Sequence, residues 1–383
     1  MRFRRSSSDD EALLPCSASV GGGNGGGRSA TCRLVGTCLS VSIIAIFALD
    51  EVRVRYLRHR EHNLLGYKCA KYQNPYYFRL QAPSSSSSPA PIGWFWQASY
   101  PGSGADLTAD LTRTLTGYET AYTEELDELP ALPQHTLAVK THWPAGKYFY
   151  EGDKSASPPF LQRFWKDVLE TDGDSMNRYD PRQYASRVLL LLRHPMDSLP
   201  SYFNNIYEQN NGLDGHSTHA PLDAWIGWRD SNFDFQLMSW VNHTRYWLDL
   251  YADKDDRYIS SYESLTSKDE KSGKKSALQL ARFLLQTPGV DTALLDVEDD
   301  VTCTWYQVVV DARGGTQRSV NANGDQYVRP YDASHLDRME EELTKLKSEY
   351  GSKYRDVADL MMVYLQMLRD KRKTESAVDE EGR

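Results

Sequence analysis

Trp94-Phe95-Trp96-Gln97-Ala98-Ser99-Tyr100-Pro101-Gly102-Ser103-Gly104-Ala105 opens the folded part of this chain. Trp94–Ser99 reads as a strand, and Pro101, Gly102 and Gly104 turn the chain sharply after it. Leu107, Leu111 and Leu115 then recur every four residues, as on one face of a helix, and Gly117 suits its end. Strand, glycine turn and helix start together make a cradle for a phosphate or sulfate. The glycines let backbone N–H groups approach an anion, and the helix start adds partial positive charge. The turn is not a Walker A loop, because it lacks the longer spacing and the Lys-Ser/Thr pair. By itself it equally fits an ordinary strand–helix turn. No lysine lies within it, and Asp106 at the helix start either repels an anion or complements the helix dipole.

The pattern continues outward as alternating strands and helices. Leu137–Lys140 reads as a short strand, and Phe160–Leu169 as a helix. Val188–Leu192 is five consecutive aliphatics, as expected of a parallel strand buried on both faces. Helices follow from about Asp197 and over Phe233–Tyr251, then a strand at Tyr258–Ser260. Further helices read at Ala277–Leu285, His335–Tyr350 and Asp356–Arg369. Such alternation predicts an α/β three-layer fold with a central parallel sheet flanked by helices. Ligands of such sheets sit at the carboxyl ends of the strands.

Two further anion-handling segments follow predicted strands. In Val139-Lys140-Thr141-His142-Trp143-Pro144, alternation puts Lys140 and His142 on one side. Lysine neutralises charge on a transferring group, and histidine takes a proton from an attacking hydroxyl near neutral pH. The alternative for His142 is a hydrogen-bonded structural residue. In Arg193-His194-Pro195-Met196-Asp197, Arg193 ends the most apolar strand, where its guanidinium suits a bidentate phosphate contact. Asp197 reads as the cap of the next helix, and Ser201 offers a hydroxyl one turn on. An Arg193–Asp197 ion pair without a ligand is the rival reading. The order of the three segments points to sulfuryl transfer.

These segments resemble the sulfotransferase superfamily that uses 3′-phosphoadenosine-5′-phosphosulfate (PAPS), with a P-loop-like fold. Ser99–Gly104 resembles its 5′-phosphosulfate loop, Lys140-Thr141-His142-Trp143-Pro144 its catalytic-histidine segment, and Arg193–Asp197 with Ser201 and Tyr202 its 3′-phosphate motif. Tyr258–Leu265 resembles its strand near the adenine, and Arg313-Gly314-Gly315 loosely resembles a late Arg-Lys-Gly element that also holds the 3′-phosphate. Trp240, His243 and Trp247 resemble a central helix of the family and read mainly as core. The resemblance covers about Trp94 to Tyr350. It implies His142 and Lys140 as catalytic residues. It implies Pro101, Gly102, Ser103, Gly104, Ala105, Arg193, Ser201, Tyr262, Arg313 and Gly314 as PAPS-binding, with no metal. The chain departs where Gly102 stands for a frequent lysine, where Ala105 and Asp106 stand for frequent Thr or Ser, and where Leu107 stands for an aromatic residue. Some carbohydrate-modifying, membrane-bound relatives share Pro-Gly-Ser-Gly, so the resemblance implies a glycan hydroxyl as acceptor. A P-loop small-molecule kinase and an inactive glycan-binding or scaffold protein of the same fold are the alternatives.

The rest of the chain bounds the setting. Its 383 residues, 40% of them hydrophobic, suit one large domain plus extensions. A net charge of −9 argues against nucleic acid as partner, so any anionic substrate needs a local basic site. Residues 1–33 are Gly- and Ser-rich and read as a disordered cytoplasmic tail. Residues 34–49 carry no charge and read as a short transmembrane anchor or, alternatively, as a buried helix. A stem and a Pro/Ser linker fill residues 50–91, the domain spans 92–369, and a charged, disordered tail follows from Asp370. Arginines flank the apolar segment almost equally, so charge leaves its orientation open. The family resemblance favours a single-pass type II protein of the Golgi membrane with a lumenal domain. Cys69 and Cys303, the two cysteines beyond the anchor, form one disulfide or remain buried thiols. The sequon Asn242-His243-Thr244 lies in a helical stretch and reads as buried and unmodified.

Overall fold

A computed structural model describes residue 69 and residues 93–123, 135–144, 181–213, 218–267, 270–290, 298–311 and 331–381. All of these lie in one compact unit, His62–Arg383. The expected anchor, the stem apart from Cys69, and the helix at Phe160–Leu169, together with Arg313 and Gly314, lie outside the described residues. Among the described residues, no helix is long and apolar enough to cross a membrane.

The order of elements is β1 (Phe95–Ser99), α1 (Ala105–Thr116), β2 (Glu119–Tyr122), β3 (Thr136–Thr141), β4 (Val188–Leu192), α2 (Pro195–Asn210), α3 (Leu222–Leu250), β5 (Arg257–Ser261), α4 (Tyr262–Leu265), α5 (Glu270–Leu285), α6 (Glu298–Trp305), α7 (Ala333–Tyr350) and α8 (Arg355–Glu381). The five strands form one sheet in the order β2-β3-β1-β4-β5, and every pairing is parallel. β1 and β4 are buried along their whole length; β4 is apolar throughout, whereas β1 also buries Gln97 and Ser99. Burying each aliphatic of Val188–Leu192 contributes about 1.5–3 kcal/mol, so this strand anchors the sheet beside the central β1.

Both faces of the sheet are covered. Trp96, Ala98, Val188, Leu190 and Leu192 pack under α2, α3, α7 and α8, through Leu199, Trp240, Leu343 and Tyr364 among others. Phe95 and Leu189 point the other way, towards Leu115 of α1, Leu280 of α5 and Val301 of α6. The α/β architecture with an all-parallel sheet and flanking helices thus agrees with the sequence reading.

Several boundaries differ from the sequence reading. α2 begins at Pro195, two residues before the expected Asp197, because His194 is the cap: its ring accepts from the Met196 N–H. α3 starts eleven residues earlier than Phe233, since Pro221 ends the preceding chain and Leu222 onward meets no breaker. α8 runs on to Glu381, past the expected end at Arg369 and through the segment read as a disordered tail. The extension is tied down where Arg372 reaches Asp337 and Glu340 of α7. β2, α4 and α6 were not foreseen, as each is eight residues or shorter and carries no clear periodicity. Asn242 of the sequon is exposed on α3, against the expected burial, whereas Thr244 is buried and donates to Trp240 O at 2.9 Å.

Cys69 and Cys303 form a disulfide across 234 residues of sequence. It joins two buried residues of the cluster beneath α5 and α6. Closing so long a loop removes unfolded-state entropy, with typical effects of about 2–5 kcal/mol. Cys303→Ser is therefore expected to lower Tm by several degrees in oxidising buffer. The same variant should leave Tm unchanged in strong reductant, where wild type falls to meet it; differential scanning calorimetry under both conditions checks this.

Candidate functional site

The sheet order brings three sequence segments together. β3, β1 and β4 are adjacent, and the chain leaves β1 towards one side of the sheet and reaches β4 on the other. Their carboxyl ends therefore meet at the point where the strand order reverses, which is where open parallel sheets bind ligands. The turn Tyr100–Gly104 follows β1, Lys140 and His142 lie at the end of β3, and Arg193 follows β4.

The turn has the backbone that its glycines anticipate. Gly102 and Gly104 have φ of 76° and 88°. Both also pass too close to neighbours for a side chain. A Cβ on Gly102 would lie 2.4 Å from Ser198 O and 2.7 Å from Tyr202 N, and one on Gly104 would lie 2.3 Å from the Tyr262 ring. A lysine at position 102, frequent in the resembling family, is thus excluded here by backbone contact. Pro101 is buried, and Ser103 closes the turn by donating its N–H to Tyr100 O at 3.1 Å. That amide was expected to face an anion, and here it is spent within the turn. The N–H groups still open at this turn are those of the first turn of α1, from Ala105 on. They have no intrahelical acceptor, and Gly104 offers them no side-chain cap.

Arg193 knits the site. Its Nη1 donates to Gly102 O at 2.8 Å, and its guanidinium lies 4.2 Å from the Tyr262 ring centroid. Among the described residues it makes no ion pair, so the rival Arg193–Asp197 pair is not formed. Among the described residues its buried Nε has no acceptor, and the Ser103 and Ser198 hydroxyls are likewise buried and unpartnered. Ser201 packs against Gly102. Tyr262 opens α4, which Ser261 caps. Instead of presenting an open ring face, Tyr262 fills the space above Gly104 and under Arg193.

Behind Arg193 lies a buried polar network that the sequence reading missed. Glu263 accepts from the His194 N–H at 2.7 Å, from Ser261 Oγ at 2.9 Å and from the Tyr364 hydroxyl at 3.1 Å. Burial raises the Glu263 carboxyl above its ordinary range, partly offset by the His194 N–H, the Ser261 hydroxyl and Arg193. His194 donates from Nε2 to Tyr364 O at 3.1 Å, since its Nδ1 is the cap acceptor. Burial holds His194 neutral, with a pKa pushed down to about 4. Glutamate after tyrosine at a strand end is the only sequence signal that marked this network.

His142 is half-buried, and its Nδ1 lies 2.8 Å from Ser99 O and 3.4 Å from Ser99 Oγ. A carbonyl only accepts, so Nδ1 carries the proton and Nε2 is the basic nitrogen. β1 thus sets the tautomer of a histidine on β3. Beneath it, α3 presents Trp240, His243 and Trp247 on one face. Trp240 Nε1 donates to Arg193 O at 3.1 Å, and Trp247 Nε1 donates to Trp143 O at 2.7 Å. The helix therefore props both the β4 end and the turn after His142. His243, between them, is fully buried, and neither ring nitrogen has a partner among the described residues. Burial, with a smaller contribution from the charge of His142, pushes its pKa down to about 3.

Lys140, read from the sequence as a neutraliser of charge on a transferring group, is paired here with a carboxylate of the protein itself. Its Nζ lies 2.8 Å from Asp106 Oδ1, the carboxylate at the start of α1, and 4.4 Å from the Tyr122 ring centroid. Tyr122 is paired with Lys140 across β2 and β3, and its hydroxyl donates to Asp106 at 3.3 Å. Burial first, then Asp106, raises Tyr122 to about 12, so it stays a donor at neutral pH. Among the described residues, no His, Cys, Asp or Glu group is arranged to hold a metal ion.

Compared with known proteins, the chain matches no family model, no curated protein and no solved structure at a significant level.

Two outcomes follow from this geometry. Gly104→Ala puts a methyl into the Tyr262 ring at a left-handed φ, a strain of about 1–2 kcal/mol before any clash. The variant should lose several degrees of Tm, and Gly104→Ala with Tyr262→Ala should recover part of that loss in the same melting assay. His194 and His243 are neutral when folded, whereas unfolded imidazoles titrate near 6.5. Below that pH the unfolded chain binds protons that the folded chain refuses. Stability is therefore expected to fall as pH drops from about 6.5 towards 4. His243→Leu should make that fall shallower, as read by Tm at pH 7, 6, 5 and 4.

Proposed function

We propose that this protein is a PAPS-dependent sulfotransferase with a P-loop-like domain. It moves a sulfuryl group to a hydroxyl, with a glycan as the acceptor class. The carrying observation is the meeting of the glycine turn, His142 and Arg193 at the carboxyl ends of three adjacent strands, at the reversal of strand order. The donor set fits a doubly anionic nucleotide at two places. The uncapped start of α1 suits the 5′-phosphosulfate, and Arg193 with Ser201 suits the 3′-phosphate, where the Arg193 Nε and the Ser198 hydroxyl are buried without partners among the described residues.

In the reaction this supports, His142 Nε2 takes the proton of the acceptor hydroxyl. The acceptor oxygen forms its bond to sulfur as the sulfur–oxygen bond to the leaving phosphate breaks in line. The α1 N–H groups and Lys140 stabilise the charge that gathers on the sulfuryl oxygens and the leaving oxygen. Arg193 fixes the register of the nucleotide, and the Ser99 carbonyl keeps His142 in the reactive tautomer. The disulfide agrees with an oxidising compartment, and so with the proposed lumenal domain of a single-pass type II Golgi membrane protein. A second reading, an inactive glycan-binding protein of this fold, draws on one observation, the neutralisation of Lys140 by Asp106.

His142→Ala should cut transfer of labelled sulfate by about 100-fold or more while adenosine 3′,5′-bisphosphate still stabilises the protein in a thermal-shift assay. Arg193→Lys, which loses the fork and the planar ring contact, should abolish that stabilisation. Full turnover in the His142 variant would overturn the base assignment. Absence of any shift for wild type with the bisphosphate would overturn the sulfotransferase reading in favour of the second.

A further inference from the structure

The carboxylate of Asp106 occupies a position that the proposed reaction leaves unexplained. It sits in the first turn of α1, beside the N–H groups that would hold the 5′-phosphosulfate, and it is half-exposed. Three elements converge on it or its partner: α1 supplies the carboxylate, β3 the ammonium of Lys140 at 2.8 Å, and β2 the Tyr122 hydroxyl at 3.3 Å. Lys140 is mostly buried, with 12% of its side chain exposed, and lies over the Tyr122 ring. Its ammonium has little freedom to serve a second anion without leaving the first. The arrangement reproduces with the protein's own atoms what a bound anion would receive at this edge: a helix N-terminus, a lysine and a hydroxyl donor.

We infer that Asp106 is an internal counter-anion of the cradle, which an incoming 5′-phosphate must displace from Lys140, and that it sets how tightly the site holds its nucleotide. This rests on the sulfotransferase reading of the same loop. In the empty site the ion pair keeps Lys140 neutralised and the edge closed to stray inorganic anions. When the phosphosulfate arrives, its oxygens take over the ammonium, while the Asp106 carboxylate turns to solvent, to which it is already half open. Asp106 thereby weakens the hold on the donor and equally on the bisphosphate product, whose 5′-phosphate lies in the same place.

The test is titration calorimetry of the full-length protein, its Asp106→Asn variant and its Asp106→Thr variant. Two probes are used: adenosine 3′,5′-bisphosphate, which reaches the cradle, and adenosine 3′-monophosphate, which does not. Removing the internal anion should tighten the bisphosphate by about tenfold or more in both variants and leave the 3′-monophosphate within about twofold. Lys140→Met, added to Asp106→Asn, should cancel the gain, because the ammonium is what the carboxylate withholds. Unchanged bisphosphate affinity in a folded variant, with wild type binding normally, overturns this inference and leaves the sulfotransferase reading standing. Equal tightening of both probes also overturns it, since the effect would not be local to the 5′ end. Binding of neither probe by any of the proteins overturns the sulfotransferase reading and this inference together.

Discussion

Two backbone contacts closer than a methyl group allows govern the carboxyl edge of this sheet: Gly102 against the first turn of α2, and Gly104 against the ring of Tyr262. Because nothing separates Gly102 from Ser198 and Tyr202, its carbonyl comes within hydrogen-bond reach of Arg193 at 2.8 Å. Arg193 in turn stacks on Tyr262, which covers Gly104. The turn after β1 is thereby locked to the ends of β4 and β5. The start of α1 is aimed by these contacts, with no side-chain cap of its own. A side chain at either glycine would open this joint, whatever its chemistry.

Support for the joint comes from the two faces of the sheet unequally. α3 places two indole N–H groups on carbonyls that follow β3 and β4, so one rigid helix sets the separation of His142 and Arg193. The Glu263–His194–Tyr364 network ties the same edge to α8, in the interior, where satisfied hydrogen bonds are worth most and orphaned groups cost most. His243 stands apart as a buried imidazole without a partner among the described residues, and it accounts for part of the expected sensitivity to acid.

The charge balance at this edge separates generic anion binding from the proposed chemistry. Lys140 would stabilise a sulfuryl group, yet it is held by Asp106 with Tyr122 beneath. Because Asp106 is half-exposed, solvent screens this pair, and its attraction is on the order of 1 kcal/mol.

Sequence by itself determined the α/β class, the β1 turn and the β4 strand. Each rests on a local rule: apolar runs for strands buried on both faces, glycine where φ is positive, leucine every four residues for a helix face. It also marked His142, Arg193 and the Cys69–Cys303 pair as candidates, because their residue types carry chemistry wherever they lie. Only the tertiary structure decided what these groups touch. The Lys140–Asp106 pair joins residues 34 apart, and the Tyr364–Glu263 bond joins residues 101 apart. Sheet order and helix packing create such encounters, and no local periodicity encodes them. The same holds for Gly102: its neighbours in sequence permit a lysine there, and a carbonyl of α2 forbids one.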